Sequence, residues 1–328
     1  GDIALQLDRA FADESSDLHV DAIKYTSSCR YSQAQIHKAK TFEDFRNLIT
    51  DFDYPDKFVE QVIPAYIEYF LSRGYEGELV IFDVGANIGA FTDFCIQQIS
   101  KNSRQKDPKN KFIYAFEPIP GTLEEMNRQL SSKIESMKSF AIHLSLENTA
   151  ISNKNDDIVM HVPVEAKKSG TRKNDEVEIM YDAQLASMSP NVGYNQAHKG
   201  ENMVVKTKSK TIDQFCFEHS IPHVNIIKSD CEGADPLVIE GMHLMLAEQA
   251  VDVVIFEYND VWTVTVDIGW YNLKNTVSTL HAFGYDSFAL GDGQLFPLTE
   301  ECWDDKYEVW QWSNIISVKR DENIVGIL

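Results

Sequence analysis

Beginning at Leu79, short apolar runs recur along the chain with amphipathic stretches between them. They are LVIFDV (79–84), FIYAF (112–116), NTAIS (148–152), VNIIKSD (224–230) and VDVVIFEY (251–258). A strand this short and this apolar has both faces in a core, the situation of a parallel sheet with helices packed on either side. The pattern therefore predicts an α/β fold. Two later segments also read as strands, YDSFAL (285–290) and EVWQWSNIISVK (308–319), and the second alternates as a long antiparallel strand does.

Upstream of Leu79, residues 41–49 and 55–73 read as helices. In the second, Phe58, Val62, Tyr66, Tyr69 and Phe70 fall on one stripe, and Pro64 is expected to kink or divide it. Residues 1–77 are thus expected to form a helical extension before a domain spanning 78–328. Residues 165–210 are rich in Lys, Asn, Ser and Gly and lie between the strand-like IVMHVPV (158–164) and MVVKTKS (203–209). They read as an elaborated excursion, a hairpin with a long tip that covers a substrate site.

The 328 residues carry a formal net charge of -21. So acidic a surface repels phosphate backbones and anionic membranes, which argues against a nucleic-acid partner. No run is long and apolar enough to span a bilayer, and no secretory signal is visible. The first residue is Gly rather than Met, so an upstream targeting or anchor segment stays outside this reading. Cys29, Cys95, Cys216, Cys231 and Cys302 are scattered, odd in number and free of C-x-x-C spacing. That argues against a disulfide framework and a cysteine zinc site, and makes a reduced, cytoplasmic compartment the default.

The first apolar run leads into DVGANIGAFT (83–92). A strand ending in a Gly-rich turn that opens a helix presents backbone N–H groups and a positive dipole end to a ligand. A dinucleotide fingerprint needs glycines at 85, 87 and 90, where this chain has Gly85, Asn87 and Ala90. A phosphate-binding loop of the Gly-Lys-Ser/Thr kind is excluded by Gly89-Ala90-Phe91. The remaining reading places an amino-acid moiety against Gly85, with Asp83 reaching its ammonium. Glu117, after the second apolar run in YAFEPIP (114–120), is placed to accept from both hydroxyls of a ribose. Amino acid, ribose and adenine without phosphate is S-adenosylmethionine.

DVGANIGAFT (83–92), YAFEPIPGTLEEM (114–126), NTAISNKND (148–156), TIDQF (211–215) and IKSDCEGADPLVIEGM (227–242) stand in an order and spacing that resembles the FkbM-type methyltransferases. The resemblance covers roughly residues 78–320. It implies a class I methyltransferase fold: a Rossmann-like sheet of seven strands, six parallel and the last antiparallel between the fifth and sixth. It departs from the family in the long loop at 101–110, in the length of the 165–210 excursion, and in Asp235, which stands where the family has glutamate.

On this reading Asp83, Gly85, Ala86, Asn87 and Gly89 cradle the methionine end, with Phe91 on the first helical turn beside them. Thr92, on the same turn, is expected to satisfy the helix N-terminus. Glu117 holds the ribose. Pro118 and Ile119 wall the adenine, and Asn148 and Ala150, opening the third strand, meet its edge. Asp230, ending the fourth strand, lies near the methyl group, with Glu232 toward the acceptor. A hydroxyl acceptor loses a proton on methylation, so Asp230 is the first candidate base and Glu257, at the end of the fifth strand, the second. No metal site is expected. The acid residues are those of strand ends in an acidic chain, and His219 and His223 are separated by Pro222. His198 reads as a loop histidine. The family resemblance implies hydroxyls of sugars, polyketides or other small natural products as acceptors. N-methylation on the same fold and a non-catalytic cofactor-binding scaffold are the alternatives.

Overall fold

The computed structural model describes residues 56–72, 77–103, 110–168, 177–181, 186–189, 202–267, 269–291, 294–299, 302–308 and 313–320. The helix expected at 41–49 and His198 fall outside these residues. The larger sheet contains β1 (Leu79–Val84), β2 (Lys111–Phe116), β3 (Ile142–Glu147), β8 (Val224–Ser229), β9 (Val251–Tyr258), β10 (Tyr285–Gly291), β11 (Gln294–Pro297) and β12 (Ser313–Lys319). Their order is β11-β10-β12-β9-β8-β1-β2-β3. β1, β2, β3, β8 and β9 pair in parallel, and β12 runs antiparallel between β9 and β10. That is the expected class I methyltransferase arrangement. An eighth strand, β11, extends it by pairing antiparallel with β10.

The apolar runs behave as their composition requires. Every residue of β1 and of β9 is buried. Val80, Phe82 and Val84 pack into one core layer with α5 (Ile212–His219), α6 (Asp235–Glu240), α7 (His243–Ala247) and α9 (Leu273–Ala282). Leu79 and Ile81 pack into the other with α1 (Asp56–Ser72), α2 (Ala90–Asn102) and α3 (Pro120–Leu130). Two further helices, α4 (Ile134–Ser139) and α8 (Trp262–Thr265), complete the described set.

Three expectations need correction. The third strand of the main sheet is β3, not 148–152. β3 reads IHLSLE and sits at the sheet's edge with only its first residue buried, so it lacks the continuous apolar run of a central strand. Asn148 follows it, and β4 (Ala150–Ile151) leaves the main sheet to pair with β7 (Asn202–Lys210). Second, the excursion is more than a hairpin. β5 (Asp156–Lys168) pairs antiparallel with β6 (Val177–Tyr181) and with β7, giving a second sheet of order β4-β7-β5-β6. Third, Pro64 lies inside α1 without dividing it. Val62, Tyr66 and Phe70 of that helix are buried, as their stripe predicts.

α1 is tied to the sheet by a polar cluster as well as by its apolar face. Tyr66 Oη donates to Asp252 Oδ2 at 2.5 Å, and Asn225 Nδ2 donates to the same oxygen at 3.1 Å. His223 Nε2 lies 3.0 Å from Oδ2, and Lys319 Nζ lies 2.9 Å from Oδ1. Burial alone pushes the Asp252 carboxyl up, but these donors and charges win and hold it at about 2.

The cysteines also depart from expectation in one respect. Cys95, Cys216 and Cys231 are free, but Cys302 is disulfide-bonded. A single bond leaves no spacing pattern for the sequence to show. Among the described residues no helix is long and apolar enough to cross a membrane.

Candidate active site

The carboxyl ends of β1, β2 and β8 face the second sheet across a cleft. It is open to solvent, and its roughly 560 Å³ of empty space includes solvent at the mouth. Of the residues expected at a site, Gly85, Asn87, Glu117, Pro118, Ala150, Asp230 and Glu232 line it. Open α/β sheets place ligands at the carboxyl ends of their strands.

Glu117 is the best-defined group in the cleft. Its Oε2 accepts from the Asn87 N–H at 3.0 Å and its Oε1 from the Ile119 N–H at 2.8 Å. Asn148 Nδ2 donates to the Glu117 carbonyl at 3.0 Å, so Asn148 supports the acid rather than lining the space. Burial raises the Glu117 carboxyl to about 7 against the two N–H donors, which favour the ionised form.

Asp83 is fully buried below the turn. Its Oδ2 accepts from the Thr92 hydroxyl at 2.6 Å, and its Oδ1 finds no hydrogen-bond partner. Thr92 thus serves Asp83 instead of capping its own helix. Burial raises Asp83, opposed by the Lys228 charge and by that hydroxyl. Ala86 is buried, and Gly89 is the N-cap of α2, packed on Met126. Ile119 packs against Met160 and Val162 of β5. Phe91 lies on the core side of α2, its ring 5.6 Å from Lys228 Nζ. These residues shape the turn from behind.

Gly85 has a different reason for being glycine than the expected one. A Cβ there would lie 2.0 Å from the backbone oxygen of Asp230, and φ is +76°. The turn after β1 is pressed against the turn after β8, so the position is closed to a side chain by the fold itself.

At the end of β8, Asp230 Oδ2 accepts from Lys228 Nζ at 3.0 Å, and its side chain is 41% exposed. Glu232 adopts φ 47°, and its carbonyl accepts from Ser187 Oγ at 3.2 Å. Asp235 is buried, accepts from Ser229 Oγ at 2.7 Å and is raised to about 7 by desolvation. Glu257 is buried at the end of β9, where its Oε2 accepts from Asn259 Nδ2 at 2.8 Å. It does not line the cleft. Met160, Ala186 and Met188 do. The second sheet and the strand-like segment beside it, joined to β5 by the His161–Ser187 bridge, supply this apolar wall. No motif marks these residues. Among the described residues no group of His, Cys, Asp and Glu is arranged to hold a metal.

The family model of the FkbM methyltransferase domain matches residues 83–287. The chain belongs to the FkbM methyltransferase family. No curated protein matches it. Among solved structures it is similar to the methyltransferase FkbM of Methylobacillus flagellatus KT at 11% identity and a TM-score of 0.41, over 88% of this chain and 60% of that one. This chain thus spans 60% of that protein's length. It is also similar to Aeropyrum pernix fibrillarin bound to S-adenosyl-L-methionine, at 10% identity and a TM-score of 0.33, over 79% and 76%. The plantazolicin methyltransferase BpumL in complex with SAH matches at 7% identity and 0.32, over 89% and 99%.

S-adenosylmethionine is the cofactor this membership brings, and the residues present suit it. Glu117, Asp230 and Glu232 offer carboxylates to a cationic ligand with two ribose hydroxyls, and Phe116, Ile151, Met160 and Met188 offer apolar surface to an adenine. Asp83 Oδ1 and Asn87 Oδ1 are buried acceptors still lacking donors, in the turn where an ammonium is expected.

Proposed function

We propose that this FkbM-family protein is an S-adenosylmethionine-dependent O-methyltransferase acting on a hydroxyl of a small molecule or carbohydrate. The observation that carries this reading is Asp230. It follows β8, lines the cleft and keeps its side chain partly exposed, and Glu117 lines the same cleft one strand beyond β1, where the proposal puts the ribose. No Lys or Arg lines the cleft among the described residues, which supports a neutral acceptor over an anionic one.

The bound cofactor supplies an electrophilic methyl group on a cationic sulfur. The chain's own residues do the rest. Glu117 holds two adjacent hydroxyls, and Asn87, Ile119 and Asn148 hold Glu117. Asp230 accepts the acceptor's hydroxyl proton as its oxygen becomes the nucleophile. The apolar wall of Met160 and Met188 excludes water and limits how the reactants lie. Glu257, enclosed and bonded to Asn259, is the second candidate for the proton.

Turnover tests the proposal. S-adenosylhomocysteine formation is followed with hydroxyl acceptors (sugars, polyols, phenols) and with amines. Asp230→Asn is expected to lower the rate with a hydroxyl acceptor about 100-fold, the scale of one general base. Turnover confined to amines and insensitive to Asp230→Asn would establish N-methylation. Tight cofactor binding without turnover on any acceptor would establish a scaffold.

A further inference from the structure

We propose that Lys228 is a positioning residue which, through Asp230, sets how tightly the cleft holds the cationic cofactor relative to its neutral product. Lys228 and Asp83 are register partners on β8 and β1, so both side chains leave the sheet on the same face. The Lys228 ammonium donates to Asp230 Oδ2 at 3.0 Å, with its side chain 13% exposed. The Phe91 ring packs 5.6 Å from it. The ammonium therefore meets Asp230 from the strand side, while Asp230 itself borders the cleft.

Unpaired, Asp230 would present a full negative charge to whatever fills the cleft. Paired, it presents a dipole with its positive end turned away. S-adenosylmethionine carries a sulfonium cation, whereas S-adenosylhomocysteine is the thioether that lacks the methyl group and with it that charge. A cation behind Asp230 weakens the first and leaves the second nearly unaffected. This has a catalytic consequence. The charge on sulfur disperses as the methyl departs, so any grip on the sulfonium that is lost at the transition state adds to the barrier. Lys228 moderates that grip. The inference rests on Asp230 facing the sulfur end of the cofactor, as in the proposed function, and not on Asp230 acting as a base.

Calorimetric titration with S-adenosylmethionine and with S-adenosylhomocysteine tests it without any acceptor. The proteins are wild type, Lys228→Met, Lys228→Gln, Lys228→Arg and Asp230→Asn, each checked for folding by circular dichroism. Lys228→Met and Lys228→Gln are expected to shift the affinity ratio about tenfold toward S-adenosylmethionine, the scale of one partly screened charge. Lys228→Arg should restore the wild-type ratio, and Asp230→Asn should shift it the other way. A merely structural lysine would weaken both ligands alike and leave the ratio fixed. A folded Lys228→Met or Lys228→Gln protein with a ratio within twofold of wild type overturns the proposal. If Asp230→Asn also leaves the ratio unmoved, the placement of Asp230 at the sulfur fails with it. If Asp230→Asn moves the ratio, only the role of Lys228 fails.

Discussion

The backbone oxygen of Asp230 occupies the place a side chain on Gly85 would need: a Cβ there would come within 2.0 Å of it. The two turns that border the cleft are therefore locked together before any ligand arrives. Gly85→Ala is expected to destabilise the ligand-free protein by about 3 kcal/mol, from overlap with backbone at a positive φ. Thermal unfolding without cofactor checks this. An unchanged melting temperature with lost cofactor binding would mean that the glycine serves the ligand and not the packing.

If Glu117 holds the ribose as proposed, cofactor affinity depends on pH. Its carboxyl sits at about 7 in the ligand-free protein, and hydroxyls placed there would donate to the ionised form. The affinity for S-adenosylhomocysteine should therefore rise about tenfold from pH 6 to pH 8, by linkage to one proton. The stability sign is opposite. A carboxyl raised on folding stabilises the ligand-free protein below its ordinary value of 4.5, and that contribution is lost as pH rises through about 7. Glu117→Gln should flatten the binding profile. Titrations at several pH values decide it, and a slope that persists in the variant assigns it elsewhere.

Asp252 fastens α1 to the sheet. Its folded value of about 2 lies below the ordinary 3.8, so its contribution is present above pH 3.8 and lost as pH falls through 2. Replacing it with Asn leaves Lys319 and His223 facing each other without their shared anion and should cost about 2 to 3 kcal/mol. Urea unfolding at pH 7 and at pH 3 measures this. The variant and wild type should converge toward the acid end.

Peptide mapping after alkylation in denaturant, without reductant, should label Cys95, Cys216 and Cys231 and recover the Cys302 peptide cross-linked. An alkylated Cys302 would contradict the bond.

Strands are legible in this sequence where burial is continuous. β1 and β9 are buried along their whole length and β8 at five of its six positions, so they could be read as parallel strands without any partner in view. β3 could not, because an edge strand wears polar residues on its open side, and β11 is too short to carry a period. The site divides along the same line. Glu117, Asn87 and Asp230 stand at strand ends, where topology alone places ligand-facing groups. Met160 faces the same space from β5 of the second sheet, and Met188 from a segment bridged to that strand at His161 and Ser187, pairings that no local pattern encodes. Asp83 is buried beneath the turn after β1 and Asn148 donates to the Glu117 carbonyl, so neither lines the cleft. Gly85 was legible as special, but its contact with Asp230 spans two turns far apart in the chain.

In the proposed function Glu117 holds the cofactor's ribose in the cleft between β1, β2 and β8. Isothermal titration of S-adenosylhomocysteine into wild type and Glu117→Ala tests it most directly. One site per wild-type chain is expected, with an affinity at least about 30-fold weaker in the variant, the loss of two charge-assisted hydrogen bonds. Equal affinities in two folded proteins, or no binding by wild type, would contradict it.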